Sequence, residues 1–262
     1  MERHRIAAIC VSSVLAVGIA LMAHESAHVL AGRIAGGSPT LLTAMEVQGN
    51  FDSLSPVGFV ALGASGFVVN ALLCGLGWWG VGRKGVTAEF RLTAWFFFAV
   101  NGMLLTTKTM LEPLLGWGDW MTILRPLPAT TFLRALFAML GTAGVILMVR
   151  RSGAALATLV FSGELQQRVA EARRIVLVGA AAAAILVLNG GVANPMGATR
   201  GVLLGLGAGV GPFVPLIFGT RFAARSPSRN ADQPSTHRGL WLLAAGAITG
   251  VMWFAFGPGI DL

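Results

Sequence analysis

The first apolar run of the chain, residues 6–35, sets the strongest limit on what it can fold into. A helix of about thirty residues is about 45 Å long, more than the roughly 30 Å hydrocarbon core of a bilayer. We therefore expect a membrane-crossing helix whose end tilts or projects from the membrane. The run also carries His24, Glu25 and His28. Because ionisable side chains are costly inside a membrane, these three are candidates for a functional site.

Composition indicates that the rest of the chain also lies in a membrane. The 262 residues are 55% hydrophobic and only 11% charged, whereas soluble domains are about a quarter charged. The 35 glycines suit close helix packing in lipid. The net charge of +8 comes from arginines that flank apolar runs, which indicates membrane topology rather than nucleic-acid binding. Cys10 and Cys74 lie in apolar segments and predict neither a disulfide nor a zinc knuckle.

The hydropathy pattern predicts an all-α integral membrane protein with about six to seven transmembrane helices. The apolar runs lie at residues 6–35, 56–81, 92–111, 130–149, 175–188, 202–218 and 240–256. Basic residues concentrate in alternate connections, which supports seven spans and a cytoplasmic N-terminus.

Four other segments interrupt this pattern. Residues 40–55 are expected to form a small hairpin or re-entrant loop, with its turn at Gly49-Asn50. The second half of residues 152–174 is predicted to be an amphipathic interfacial segment. Glycine and proline at positions 211, 212 and 215 break the sixth apolar run, and residues 221–238 form a polar loop.

The sequence around the three ionisable residues reads H-E-x-x-H. On a helix, His24 and His28 project from one face and can bind the same metal ion. Glu25 lies beside them, where it can act as a general base on a water that the metal activates. The alternative is a polar seam that hydrogen-bonds neighbouring helices.

A catalytic zinc site needs a third protein ligand. Asp119 is favoured because a glycine precedes it and because it follows an apolar helix that contains the unusual Asn101. Glu46 is the second choice, and Glu112 has a simpler interpretation as the partner of Lys108 one helical turn away. The downstream carboxylates that could supply this ligand are Glu46, Asp52, Glu112 and Asp119.

Asn70 lies in the second apolar run, a few residues after the small-residue cluster that begins at Gly63. Small residues three or four apart favour tight helix packing. The Asn70 amide is therefore either an interhelical hydrogen-bonding group or a group that orients a substrate, and the sequence leaves both open.

Together these segments resemble the site-2 protease class of intramembrane zinc metalloproteases, the M50 peptidases. The resemblance rests on H-E-x-x-H at His24–His28, Gly66-Phe67-Val68-Val69-Asn70, Asn101 and Gly118-Asp119, and covers roughly residues 6–125. Phe67 stands where the family has proline. The resemblance implies that His24, His28 and Asp119 bind one Zn²⁺ per chain and that Glu25 is the base. It also implies that Asn70 and Asn101 contact the substrate.

The predicted organisation follows. Residues 1–128 form a catalytic membrane core, and residues 129–262 add transmembrane helices joined by basic loops. The expected activity is hydrolysis of peptide bonds in a transmembrane protein substrate within the lipid bilayer, with a regulatory membrane partner or a homo-oligomer left open. The alternatives are a metal-binding transporter or sensor and an inactive membrane scaffold. Members of the family have a catalytic helix that runs toward the cytosol, opposite to the charge bias, so both orientations stay open.

Overall fold

The computed structural model describes residues 2–128, 131–160, 164–225 and 238–262. Nine α-helices and three short strands occur in these ranges. The helices are α1 (Glu2–Ile34), α2 (Pro56–Gly82), α3 (Ala88–Leu115), α4 (Asp119–Leu124), α5 (Thr131–Leu156), α6 (Leu165–Val192), α7 (Ala198–Gly205), α8 (Phe213–Arg225) and α9 (Arg238–Val251). The strands are β1 (Ser38–Leu42), β2 (Val47–Asn50) and β3 (Ile260–Asp261).

Five of the helical segments are long and apolar enough to cross a membrane. They are His4–Ile34, Pro56–Gly82, Thr131–Leu156, Leu165–Val192 and Ala198–Ala223, and a shorter apolar helix covers Trp241–Phe256. The predicted, predominantly helical fold is therefore confirmed, with helices long and apolar enough to cross a membrane. The helix α3 is equally long, but it carries more charged residues, among them Lys108 and Glu112.

Local sequence explains where α2 and α3 begin and end. The Ser55 side chain accepts a hydrogen bond from the Gly58 N–H, and Pro56 follows at the first helical position, where its missing N–H costs nothing. The Thr87 side chain caps α3 in the same way, through the Phe90 N–H. At the other end Gly116 adopts φ +77°, the left-handed conformation that glycine tolerates best, and α3 stops there.

Buried hydroxyl and indole groups join α1, α3, α5 and α6 around the core. The Ser13 hydroxyl donates to the Gly179 carbonyl of α6 at 2.7 Å, and Ser12 lies 2.8 Å from the Thr93 hydroxyl of α3. The Trp95 indole donates to the Ser152 carbonyl of α5 at 2.9 Å. Hydrogen bonds between helices satisfy polar groups that lipid could not. This framework holds the middle of α1 inside the bundle.

Of the two alternatives expected for residues 40–55, a hairpin and a re-entrant loop, the structure has a hairpin, but the predicted turn at Gly49-Asn50 is wrong. Strands β1 and β2 pair antiparallel, with Ser38 opposite Asn50 and Leu42 opposite Val47, so the chain reverses before Val47. The Thr43 hydroxyl accepts from the N–H groups of Met45 and Glu46 and so stabilises this earlier turn.

Gly49-Asn50 lies inside β2 for a steric reason. A Cβ at Gly49 would overlap the backbone of Ser38 and Pro39 on the paired strand. The glycine is needed because the backbone of the paired strand approaches it closely, not because the chain turns there. The sheet also has a third strand that the sequence did not predict, because β3 pairs antiparallel with the other side of β1.

Two further predictions need adjustment. The interfacial segment before residue 175 is not separate, because α6 runs without a break from Leu165 to Val192. The predicted break in the sixth apolar run is a π-helical segment, Leu206–Val210, in which the Gly211 N–H bonds to the Leu206 carbonyl. This wider turn precedes Pro212, which has no N–H to offer. Most of the predicted polar loop, residues 226–237, lies outside the described residues.

Candidate metal centre

The two histidines of α1 lie one helical turn apart and face the same interior space. Their exposed fractions are 3% for His24 and 6% for His28. The rings meet edge to face with centroids 4.8 Å apart, and their Nε2 atoms are separated by 3.2 Å. The spacing of four residues therefore brings one nitrogen of each ring to a common point.

Asp119 reaches the same point from the start of α4. Its Oδ2 is 3.0 Å from His24 Nε2, and its Oδ1 is 3.3 Å from His28 Nε2. Gly118, directly before it, has φ +89°, a conformation that glycine adopts without strain. Because that residue turns the chain, the first side chain of α4 points back toward α1. In the described part of the protein, His24, His28 and Asp119 form the only group of three or more such side chains close enough to hold one ion.

The geometry of these donor atoms fits a zinc ion. Zinc binds imidazole nitrogen at about 2.0–2.1 Å in a tetrahedral site, which places neighbouring ligand atoms about 3.3–3.4 Å apart. The two Nε2 atoms are 3.2 Å apart, so a small movement would accommodate the ion. Two imidazoles and one carboxylate are also a common catalytic zinc set, which leaves a fourth position open.

Hydrogen bonding on the far side of His28 orients its ring. Nδ1 lies 2.8 Å from the Leu62 carbonyl and 3.0 Å from the Ser65 hydroxyl, both on α2. A carbonyl can only accept, so Nδ1 carries a proton and donates it, and Nε2 is the ring nitrogen that faces Asp119. Metal-binding histidines are held in this way by outer hydrogen bonds. The His24 Nδ1, in contrast, is buried without a hydrogen-bond partner.

Two glycines on α2 leave space for the centre. A Cβ at Gly66 would lie 2.6 Å from both His24 ring nitrogens. A Cβ at Gly63 would lie 2.6 Å from the Asp119 carbonyl oxygen and would also contact Ile123. The small residues of α2 thus allow α1 and α4 to approach it on adjacent parts of one face. The sequence predicted that the small residues of α2 pack tightly against other helices, and this packing brings His24 and Asp119 together.

Charged residues surround the three donors. Lys108 on α3 donates to Asp119 Oδ2 at 2.6 Å and lies 3.6 Å from Glu112 Oε1. Glu25 is buried, with 7% exposure. Burial alone raises the pKa of Asp119, but the Lys108 ammonium, together with the two adjacent imidazoles, outweighs burial and holds that pKa well below its usual range. Asp119 is therefore a carboxylate, the form that binds metal.

The other candidate third ligands lie elsewhere. Glu46 is in the hairpin turn and pairs with Arg200 at 2.7 Å. Asp52 is largely exposed and lies 3.4 Å from Arg125. Glu112 lies beside Lys108, as the spacing of four predicted, and also accepts a hydrogen bond from the Trp120 N–H at 3.0 Å. The structure thus places Asp119, and none of these three, against the two histidines.

The two asparagines are fully buried but do not join this cluster by hydrogen bonds. Neither polar atom of the Asn70 amide has a partner in the described part of the chain. The Asn101 Nδ2 donates to the Phe97 carbonyl one turn earlier, and its Oδ1 has no partner. Buried amides are normally satisfied, so both side chains retain unused hydrogen-bonding capacity.

Sequence reasoning missed the roles of three residues near the centre. Lys108 was considered only as a partner of Glu112, although its charge within an apolar helix was a signal. Ser65 was assigned to helix packing, and Gly66 to helix packing and to the second motif of the family resemblance. Only their contacts with His28 and His24 show what they do at this centre.

Comparison with known proteins adds no assignment: no family model, curated protein or solved structure matches this chain.

Proposed function

We propose that this chain is an intramembrane zinc metalloprotease of the site-2 protease type, with one Zn²⁺ held by His24, His28 and Asp119. The observation that carries the proposal is the convergence of these three side chains on one point. Both histidines and the buried Glu25 lie on a helix apolar enough to cross a membrane, and Asp119 reaches them from α4. A bound zinc would polarise the scissile carbonyl and make a water molecule acidic.

The residues of the chain would perform the remaining steps. Glu25 follows His24 directly and would accept the proton of the attacking water, then deliver it to the leaving amine. Leu62 and Ser65 hold the His28 ring in the required tautomer. The unpartnered amide of Asn70 could bind backbone groups of a substrate that has unwound from its helix. Asn101 could act in the same way through its Oδ1.

An extended substrate segment would need a strand to pair with. In the described sheet, β1 is central and β2 lies at one edge. We propose that the substrate adds beside β2, where main-chain groups are available for strand addition. Strand β1 begins at Ser38, ten residues after His28 and just beyond the end of α1. A substrate strand paired with the hairpin would therefore lie at the same end of α1 as the histidines.

The proposed membrane arrangement has seven spans. The five apolar helices supply most of them, α3 would cross as the third, and α9 with its π-helical end, Met252–Phe256, would be the last. Lys108 and Glu112 would be tolerated in α3 because they pair with each other and because Lys108 also pairs with Asp119.

Metal transport is the second candidate, and the π-helical break between α7 and α8 favours it, because interrupted helices line transport pathways. A pathway needs successive sites, however. In the described ranges, the three-residue group on α1 and α4 has no counterpart on the interrupted helix. Hydrolysis therefore explains the arrangement better.

The proposal is tested first by metal content. Wild type, Asp119→Ala and the control Asp52→Ala are purified in detergent, and zinc is measured by mass spectrometry. We expect about one zinc per chain in wild type and in the control, and a large loss in Asp119→Ala. Zinc-free wild type after metal-replete purification would overturn the proposal.

The second test asks for cleavage. Membrane proteomes of cells that produce wild type or Glu25→Gln are compared for fragments of membrane proteins. Fragments that require wild type, with zinc retained in Glu25→Gln, are the expected result. Fragments that persist in Glu25→Gln would exclude the proposed mechanism.

A further inference from the structure

The Lys108 ammonium lies against two of the three candidate metal ligands. Its Nζ lies 2.6 Å from Asp119 Oδ2 and 3.0 Å from His24 Nε2. Those two atoms are themselves 3.0 Å apart. The three atoms therefore form a compact triangle, and the ammonium is at hydrogen-bond distance from two of the three candidate ligands.

The hydrogen-bonding capacity of the Lys108 ammonium determines which atoms of the centre it can contact. Lysine Nζ has three donors and no acceptor, so it can face His24 Nε2 only if that nitrogen presents its lone pair. The same holds for Asp119 Oδ2, which can only accept. These lone pairs are the ones that a metal ion would need. Lys108 and a metal ion are thus alternative cations for the same two donor atoms.

Glu112 provides a second position for the ammonium. Its Oε1 is 3.6 Å from Nζ, one helical turn further along α3, and its Oε2 accepts a hydrogen bond from the Trp120 N–H. The carboxylate is buried, with 3% exposure for the residue, so it does not leave the site. A small rotation of the lysine side chain could transfer the ammonium from Asp119 to Glu112 without exposing either charge.

We propose that Lys108 is an internal competitor of the metal ion. It satisfies His24 and Asp119 in the metal-free protein, and it moves to Glu112 when the ion binds. In this way Lys108 sets the metal affinity of the centre. The inference rests on the proposed metal site, but it concerns a residue that neither the H-E-x-x-H motif nor the third-ligand search identified.

The competition predicts the direction in which zinc affinity changes when the Lys108 charge is removed. A positive charge a few ångströms from a divalent cation opposes its binding, and the opposition is strong where water is largely excluded. Removing the charge should therefore tighten zinc binding. If Lys108 served mainly to orient Asp119, its removal would weaken zinc binding, as the loss of outer-sphere partners usually does. The two roles predict opposite changes.

The experiment is a zinc titration of chelator-treated full-length protein in detergent, in competition with a chromophoric chelator. Lys108→Met keeps the length of the side chain and removes its charge, and Lys108→Arg keeps the charge. The matched control is Lys84→Met, since Lys84 is the other lysine of the chain and lies in the exposed connection between α2 and α3. Size-exclusion profiles establish that each variant is folded.

We expect Lys108→Met to bind zinc at least about tenfold more tightly than wild type. Lys108→Arg should bind no more tightly than wild type, and Lys84→Met should match wild type. The rise in melting temperature on adding saturating zinc should also be larger for Lys108→Met, because its metal-free form has lost an ion pair.

Equal or weaker zinc binding by Lys108→Met would overturn the inference while leaving the metal site intact. No zinc binding by any of the proteins would instead remove the metal site itself. If Lys108→Met does not fold, Glu112→Gln decides, because it removes the second position of the ammonium while a Gln oxygen can still accept from Trp120. Its zinc affinity should fall, and an unchanged affinity would refute the competition.

Discussion

Gly66→Ala should destroy the candidate metal centre by adding a single methyl group. The new Cβ would lie 2.6 Å from both ring nitrogens of His24 and also against the carbon between them. Ordinary contacts of this kind are about 3.5 Å, so the ring has to retreat by about 0.9 Å or α1 and α2 have to separate. Metal–ligand distances tolerate only about ±0.2 Å. The displacement is therefore several times larger than the site allows.

The expected result is a loss of zinc affinity of at least about a hundredfold, since one of three ligands is displaced. The assay is zinc content after dialysis, together with competition against a chromophoric chelator. Gly75→Ala is the matched control on the same helix, because a Cβ there meets nothing within 4 Å. Alanine in a helix is favoured over glycine by about 1 kcal/mol, so this control should keep its zinc and be at least as stable.

The outcome that refutes the reasoning is a folded Gly66→Ala protein that binds zinc as wild type does. It would mean that His24 is not held against Gly66 when the metal is bound. Loss of zinc in Gly75→Ala as well would show that the assay reports general damage to α2 rather than the position of His24.

Three further substitutions test other parts of the site. Asn70→Leu should leave zinc content unchanged and lower cleavage. Its free energy of unfolding should be equal to that of wild type or up to about 2 kcal/mol higher, because the amide that it removes has no hydrogen-bond partner. A lower free energy of unfolding would show that the amide stabilises the fold. Ser65→Ala should weaken zinc binding by less than about tenfold, because the Leu62 carbonyl still holds His28; complete loss of zinc would show that the hydroxyl is essential. Glu46→Gln should keep its zinc and lose at most about 1 kcal/mol in thermal denaturation, because its partner Arg200 is 55% exposed; loss of zinc would make Glu46 a ligand.

The hairpin shows how far local sequence could predict the fold. Glycine and asparagine are ordinary turn residues, and the pattern predicted a hairpin or a re-entrant loop after α1, of which the structure has the hairpin. It could not distinguish a glycine in a turn from Gly49, which lies where one strand closely approaches another. The deciding contact, with Ser38 and Pro39, depends on how the strands pair. The third strand, β3, comes from the far end of the chain, beyond the reach of any local pattern.

In the candidate metal centre, too, local sequence predicted some features and tertiary contacts decided the others. The spacing of His24 and His28 on one helix face follows from the helical repeat, so the sequence predicted their convergence. Local pattern favoured Asp119 over Glu46, but strand β1 separates Glu46 from α1, and the hairpin and two long helices separate Asp119 from it. Their final positions depend on packing, since Gly63 admits the start of α4 while Arg200 holds Glu46 elsewhere.

By itself, the sequence determined the helical, apolar character of this protein and the pair of histidines beside a glutamate in its first long helix. Hydropathy and the helical repeat depend only on residues that are close in the sequence, so they can be recognised without knowledge of the tertiary contacts. Only the tertiary structure decided which carboxylate faces the histidines, which glycines make space for them and where the Lys108 ammonium lies. Those features are contacts between residues far apart in the chain, and they form only when α1, α2, α3 and α4 pack against one another.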